Sequence, residues 1–377
     1  MKQTQFSTPI LKRIRILRRE MERLQIDTLM ISNDENRRYL SGFTGRDTQF
    51  DESAGTLFIT HQMLLLATDS RYETQAASEA SEFEVYCYKE GLYKSMPDIA
   101  RILGSRRIGF ESIRISVREY GRIADALKSK KLKIELIPVE DLVEKQRAVK
   151  SNAEIEAIRK SLSVTESAFS DLLGFLRPGL TEAEAAWALE KRMRQSGADE
   201  LSFPVIVASG PNSALPHAIP GNRAFKPKEP VLFDWGAKVN GYCSDISRTL
   251  FFGKPDPAFK KIFTIVKDAQ QKAIDAIRAG VSSKSVDRIA RSHIARRGLK
   301  DRFGHGLGHG LGLAIHEAPR LSPVTDGILL PGMVVTVEPG VYIPGKGGIR
   351  IENIVVVRRD GAEVLNRLDI FDSPVTC

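Results

Sequence analysis

The chain has 377 residues, 42% hydrophobic and 27% charged, the make-up of an ordinary soluble globular protein with two domains, or one large domain and an attached smaller one. No apolar run approaches the roughly 18 residues of a membrane span, and MKQTQFSTPILKRIRIL has neither an unbroken apolar core nor a small-residue cleavage site, so neither a membrane partner nor a secretory signal is expected. The net charge of +9 would suit nucleic acid, but LKRIRILRRE, LKSKKLK and IARRG mix their basic residues with apolar ones, the pattern of solvated faces, and no nucleic-acid partner is expected.

Residues 9–26 place Ile10, Ile14, Leu17, Met21 and Leu24 at helical spacing with basic residues opposite, which predicts an amphipathic helix. Short apolar runs follow at 28–32, 55–60, 63–68, 83–88, 107–112 and 132–139, with helical stretches between some of them. This alternation predicts an N-terminal α/β domain over residues 1–138. A long helical pattern from about Asn152 ends at Arg177-Pro178-Gly179, where proline and glycine stop it. Thr181 with Glu184 forms a capping box for the next helix, closed by Gly197. Beyond 200 the chain is strand-rich, with two more helices at about 256–279 and 283–297 and no simple repeat. An α+β domain over 139–377 follows. Three scattered cysteines, Cys87, Cys243 and Cys377, with no CxxC, indicate a reducing compartment, by default the cytoplasm, and no disulfide framework.

The stretch PVLFDWGAKVNGYCSDISRTLFF, 230–252, carries the first chemistry. Asn240-Gly241 is the preferred pair for a two-residue hairpin turn. Folding there pairs Val239 with Tyr242, Gly236 with Asp245 and Asp234 with Ser247, so both aspartates share one face, roughly 7–8 Å apart. The glycine opposite Asp245 leaves room for a third body. Buried unpaired carboxylates are costly, and a cation between them removes the cost. In MVVTVEPGVYIPGKGGIRIENIVVV, 333–357, Glu338 and Glu352 sit in two apolar strands. Their even separation means that they face each other only across an odd loop or a bulge, which the local glycines permit. Arg350 lies on the face of Glu352.

FGHGLGHGLGLAIHEAP, 303–319, holds His305, His309 and His316 among alternating glycines. It lacks GxGxxG and GK[ST], so a phosphate cradle fails. In a strand, His305 and His309 lie about 13 Å apart at ~3.3 Å per residue, and His316 has the opposite parity. Spacing therefore allows at most one histidine per metal, with the others as helpers, and leaves open which one. Four carboxylates and one imidazole balance two divalent cations; such an oxygen-rich set suits manganese, cobalt, iron or zinc, and paired ions activate a shared water.

Together these segments resemble the Xaa-Pro peptidases, aminopeptidase P and prolidase, of the pita-bread metallopeptidase family M24, over nearly the whole chain. DWGAKVNGYCSDISRT resembles the segment with the family's two aspartate ligands, GLGHGLGLAIHEAP the histidine segment, and TVEPGVYI with GGIRIEN the glutamate segments. SFPVIVASGPNSALPHA resembles the substrate-pocket segment, and RRYLSGFTG with ATDSRY the smaller, non-catalytic domain. Ser247 stands where the family usually has threonine, a departure expected to matter little.

The resemblance implies an α+β pita-bread catalytic domain behind a smaller creatinase/prolidase-like α/β domain. It implies two divalent metals, manganese foremost and cobalt, zinc or iron as other candidates, on Asp234, Asp245, His309, Glu338 and Glu352. It further implies hydrolysis of the bond before proline in a small peptide with proline second, by a homodimer. Glu338 is expected to shuttle the proton, His217 and His316 to donate hydrogen bonds to substrate, His305 to assist, and Arg350 to orient Glu352. The glycines read as clearance around a crowded metal-and-substrate site. The compact length and RYLSGFTG favour an Xaa-Pro aminopeptidase. An Xaa-Pro dipeptidase is the alternative, for which Arg320 offers a carboxylate anchor. A catalytically inactive binding module on the same fold is the reading from a different class, and the intact ligand set speaks against it.

Overall fold

The computed structural model describes residues 8–47, 49 and 52–371, and the chain divides into two compact units, Met1–Gln146 and Arg147–Cys377. In the first, α1 (Pro9–Arg23) starts on the side chain of Thr8, which accepts from the Leu11 amide, and buries Ile14, Leu17 and Met21. The six apolar runs form β1 (Thr28–Ile31), β2 (Thr56–Thr60), β3 (Leu64–Thr68), β4 (Glu84–Cys87), β5 (Arg107–Glu111) and β6 (Glu135–Val139). They make one sheet in the order β4-β3-β2-β1-β5-β6. Only β2 runs against the rest. The central β1 and β2 are buried along their whole length, as continuous apolar runs require, while the edge strands β4 and β6 are partly exposed. Helices α2 (Asp34–Ser41), α3 (Glu73–Glu79), α4 (Leu92–Leu103) and α5 (Val117–Ser129) complete the unit, and α6 (Leu142–Ala148) spans the division between units. Cys87 and Cys243 are free cysteines; Cys377 lies outside the described residues.

The second unit opens with α7 (Asn152–Leu173) and α8 (Glu182–Gln195). Both start on capping boxes, Ser151 with Glu154 and Thr181 with Glu184. Strands β7 (Glu200–Leu201), β8 (Ile206–Ser209), β9 (Pro230–Trp235), β10 (Ala237–Val239), β11 (Tyr242–Cys243) and β12 (Ile246–Phe251) precede α9 (Pro257–Ala276) and α10 (Ser283–Ile294). After them come β13 (Gly308–Gly310), β14 (Glu317–Leu321), β15 (Val334–Val337), β16 (Gly340–Ile343), β17 (Gly347–Arg350), β18 (Asn353–Val357) and β19 (Ala362–Val364). The sheets run β11-β10-β7, β12-β9-β8, β14-β13-β15-β18-β19 and β16-β17.

Two apolar cores hold these sheets between helix pairs. On one side Ile158, Leu162 and Phe169 of α7 and Leu189 of α8 pack with Phe233 and Trp235, Phe169 stacking on Trp235 at 4.2 Å. On the other, Val266 and Ala269 of α9 and Val286 and Ala290 of α10 pack with Val335, Ile349 and Val355. Each such large side chain, fully buried, stabilises the fold by about 1.5–3 kcal/mol.

The two helix pairs are an internal repeat that the sequence hides. Gly179 (φ 91°) and Gly280 (φ 84°) precede the caps Thr181 and Ser282. The Gly179 amide donates to Phe225 O, Phe225 N to Leu180 O, and Glu182 N to Arg223 O. In the other half Gly280 N donates to Leu329 O, Leu329 N to Val281 O, and Ser283 N to Gly327 O. The backbone pattern is the same while the side chains have diverged, so no repeat is visible in the residues.

Candidate metal centre

The aspartate hairpin folds as its residues dictate. Asn240 and Gly241 both take positive φ, 48° and 78°, the geometry of the two-residue turn. Val239 then pairs with Tyr242, and Asp234 with Ser247. The space beside Gly236 is not free for a third body, however: a Cβ there would lie 2.0 Å from the Ser244 carbonyl oxygen. The glycine admits the neighbouring backbone. Behind the hairpin, Ser161, Thr165 and Ser244 share hydrogen bonds with both polar groups of Ala237, which fixes the strand between the aspartates.

The two glutamates sit where one sheet hands over to another. Val337 pairs with Asn353 in β15–β18, and Gly340 with Arg350 in β16–β17, so the same register crosses the break and sets Glu338 opposite Glu352. Of the odd loop or bulge that an even separation requires, the chain takes the loop, Pro344–Gly345–Lys346, with Gly345 at φ 73°. At the break, Glu338 N donates to Leu307 O and Glu352 N to Ser247 O. The glutamate pair is thereby tied to both the histidine segment and the aspartate hairpin.

His309 lies in β13 between β14 and β15. The glycines beside it serve this sandwiching, which corrects the expectation of clearance around metal and substrate. A Cβ on Gly308 would lie 2.0 Å from Thr336 O, and one on Gly310 2.2 Å from Ala318 O. Gly308→Ala is therefore expected to destabilise the fold by about 1–3 kcal/mol, read as a lower urea midpoint; an unchanged midpoint would contradict the packing described.

These elements converge on one point. Ligand atoms of Asp245, His309 and Glu352 lie within 4.8 Å of one another, and all three residues are buried. His309 Nε2 is 3.5 Å from Asp245 Oδ2 and 3.6 Å from Glu338 Oε1. Its Nδ1 lies 3.0 Å from the Gly310 carbonyl; donating there, it leaves Nε2 as a lone pair aimed at anions. Asp234 Oδ1 and Glu352 Oε1 are buried without a hydrogen-bond partner. Burial, relieved in part by His309 and Arg350 but reinforced by Asp245, pushes Glu338 up to about 7. Burial also lifts Asp234 to about 6, against the pull of Arg350, and burial with the neighbouring carboxylates holds Glu352 well above the usual range. His309 is raised, its carboxylate neighbours outweighing burial. Unpartnered oxygens, a bare imidazole nitrogen and mutual repulsion are what a bound divalent cation would resolve. The donor set fits a metal.

Arg350 is buried at 3% exposure, and its place differs from the expected one. Its carboxylate partner is Asp234, at 2.5 Å, and it reaches Glu352 only through Ser247. Arg350 Nε donates to Ser247 Oγ at 2.8 Å, and that hydroxyl donates to Glu352 Oε2 at 3.0 Å. Arg350 Nη1 donates to the Tyr342 hydroxyl, which lies 2.9 Å from His305 Nε2. Burial, with Arg350 adding to it, lowers His305 to about 4 and so keeps it neutral. With Nδ1 on Gly306 O, His305 accepts from Tyr342. It touches this network and none of the four carboxylates. Ser247 thus carries more than the sequence indicated, and Tyr342 was not singled out; neither residue type signals its role without knowledge of its neighbours. Ser247→Ala is expected to weaken metal affinity about 10–100-fold, measured by competition with a chelator; unchanged affinity would show that the hydroxyl does not orient Glu352.

The carboxylates form the floor of a cleft of about 550 Å3, walled by Phe203, Ile206, Pro216, Ile315, Val324 and Thr325. His217, His316 and Arg320 also line it. The His316 ring meets that of His309 edge-on at 4.4 Å, and burial together with His309 lowers His316 to about 4. The next residue, Glu317, turns inward to Arg147 at 2.5 Å, Lys150 at 2.9 Å and the Ala314 amide at 3.0 Å, which pins the turn bearing His316.

The chain belongs to Metallopeptidase family M24, which it matches over residues 156–359, and residues 13–149 match the Creatinase/Prolidase N-terminal domain. It is a metallo-exopeptidase with the pita-bread fold behind that domain. It is 34% identical to the Xaa-Pro dipeptidase of Pyrococcus horikoshii, over 93% of this chain and 95% of that one. Among solved structures, the Xaa-Pro dipeptidase from Bacillus anthracis superposes with a TM-score of 0.89 at 37% identity, covering 96% of this chain and 99% of that one. The X-Pro aminopeptidase from Thermotoga maritima gives 0.83 at 38%, covering 93% and 99%. Among the described residues no helix is long and apolar enough to cross a membrane.

Proposed function

We propose that the chain is an Xaa-Pro dipeptidase whose two divalent cations are held by Asp234, Asp245, His309, Glu338 and Glu352. The observation that carries this reading is the convergence of Asp245, His309 and Glu352 beside buried oxygens of Asp234 and Glu352 that lack partners. When bound, the metals supply Lewis-acid polarisation of the scissile carbonyl and a more acidic water. Glu338, 3.6 Å from His309 Nε2, takes the attacking water's proton and passes it towards the prolyl nitrogen. His316, neutral at pH 7, and His217 donate hydrogen bonds to the substrate from the cleft wall. Arg350 holds Asp234, and His305 accepts from Tyr342 behind it.

Two named relatives, from Pyrococcus horikoshii and Bacillus anthracis, are dipeptidases, which favours this reading over the aminopeptidase drawn from the sequence. Arg320 in the cleft wall supplies a cation for the free carboxylate of a dipeptide. The Thermotoga maritima structure, an X-Pro aminopeptidase, supports the aminopeptidase reading. Manganese as the native ion, a homodimer, residence in the cytoplasm, and the division into a non-catalytic domain over 1–138 and a catalytic one over 139–377 belong to the same proposal. The complete donor set stands against an inactive binding module.

The test compares Xaa-Pro with Xaa-Pro-Xaa peptides after reconstitution with manganese, cobalt or zinc. Xaa-Pro is expected to be the better substrate, and Arg320→Ala to raise its KM about 10–100-fold, the worth of a charge-assisted hydrogen bond, with little effect on longer peptides. Equal or faster cleavage of Xaa-Pro-Xaa would restore the aminopeptidase.

A further inference from the structure

We propose that Glu182 is a positioning residue for His217: its carboxylate closes the loop that presents this histidine to the cleft. What His217 does there rests on the peptidase reading; the hold of Glu182 on the loop does not. Glu182 is the first residue of α8, where an acid usually faces solvent and complements the helix dipole. Here it is 0% exposed. Oε1 accepts from Ser209 N at 2.7 Å, Ser209 Oγ at 2.8 Å and Asn212 Nδ2 at 3.1 Å. Oε2 accepts from Asn212 Nδ2 at 3.1 Å and Gly221 N at 3.2 Å.

Ser209 and Gly221 are the two ends of one excursion of the chain. Between them lie a single 3-10 turn, Gly210–Ala214, and an outer stretch in which Leu215 is 58% and Ile219 90% exposed. Pro216 and His217, in that outer stretch, line the cleft. Further holds come from the other side: Gly348 N donates to Ser213 Oγ at 2.8 Å, and Arg350 Nη1 to Pro216 O at 3.2 Å. One carboxylate therefore joins both ends of the loop, beside the Ala183 amide on Gly221 O at 3.0 Å and Arg223 Nη1 on Ser209 Oγ at 2.7 Å.

The internal repeat shows that the fold alone does not demand this side chain. Ser283 occupies the equivalent place in the second half, its amide paired to Gly327 as that of Glu182 is to Arg223. Ser283 is 1% exposed and its hydroxyl has no partner. Buried at the same backbone position, one half carries a loop-closing acid and the other an idle hydroxyl. Only the half with the Glu182 carboxylate carries His217.

Glu182→Gln keeps the shape but turns an amide N–H2 towards donors. Three readouts are taken on the metal-loaded protein: amide hydrogen exchange over 209–221, metal content, and kcat/KM for Xaa-Pro in the wild-type and His217→Ala backgrounds. We expect exchange over 209–221 to rise about tenfold or more, metal content to hold, and kcat/KM to fall roughly 10–100-fold, since small misplacements of a substrate-contacting group cost that much. In the His217→Ala background the same substitution should change kcat/KM less than about twofold, as expected for residues acting as one unit. Unchanged exchange, or a full further loss on top of His217→Ala, would overturn the proposal. If Glu182→Gln does not fold, Asn212→Ala, which removes one donor, must raise exchange over 209–221, and its failure to do so overturns the proposal equally. A wild-type protein that cleaves no Xaa-Pro bond would overturn the peptidase reading while the exchange result still decides the hold of Glu182.

Discussion

Replacing Glu338 with glutamine is expected to lower kcat for Xaa-Pro hydrolysis roughly 10²–10⁴-fold, the range for loss of a positioned acid–base group. In the metal-free protein Glu338 is held up to about 7 chiefly by burial, against the pull of His309 and Arg350. A carboxylate can take and return a proton, and glutamine can do neither. Glutamine retains the shape and a carbonyl oxygen, so the measurement pairs steady-state kcat with metal content. A variant that keeps its metal and its full kcat would remove Glu338 from the proton path. A variant that loses metal and activity together would assign it a holding role only.

Stripping the metal should invert the usual pH dependence of stability between about pH 6.5 and 7.5. Asp234 and Glu338 have folded-state values of about 6 and 7, and Glu352 stands higher still, all above their unfolded values. In this window the folded state binds more protons than the unfolded one, so unfolding free energy falls as pH rises. His305 and His316, lowered to about 4, and His293, lowered by burial, act in the opposite sense and offset part of this trend up to about pH 7.5, where the last of the unfolded histidines lose their protons. Glu111 in the first unit, pushed up to about 7 by burial, adds to the carboxylate trend. Bound cations replace the protons and reverse the trend at the metal centre, and at a free concentration 100 times Kd each site adds about 2.7 kcal/mol. Melting curves with and without chelator at pH 6.5 and 7.5 read this directly. A chelated protein that is equally stable at both, or more stable at 7.5, would contradict the electrostatics of the site.

What could be read from the residues depended on how local the cause was. The Asn240-Gly241 turn fixes its own register, so the pairing of Asp234 with Ser247 followed from neighbouring residues alone. Parity required an odd loop or a bulge between Glu338 and Glu352, and Pro344–Lys346 is such a loop. The six strands of the first unit followed from short apolar runs, of which the central β1 and β2 are buried along their whole length. Features that depend on distant neighbours were hidden. Gly308 and Gly310 are small because of Thr336 and Ala318, and Gly236 because of Ser244, none of which spacing could reveal. Arg350 shares a face with Glu352, but Asp234, far away in the chain, takes its guanidinium at closer range. Glu182 stands at a helix start, and the loop it closes lies beyond its own helix. The internal repeat survives in backbone hydrogen bonds that are indifferent to side-chain identity.

The most direct test of the account is a titration of chelator-stripped protein with manganese, following Xaa-Pro hydrolysis against metal equivalents per chain. Two divalent cations on the Asp234, Asp245, His309, Glu338 and Glu352 set predict activity that is absent without metal and reaches a plateau at two equivalents. Hydrolysis that persists in the stripped protein, or a protein that takes up both equivalents and cleaves no Xaa-Pro bond, would contradict it.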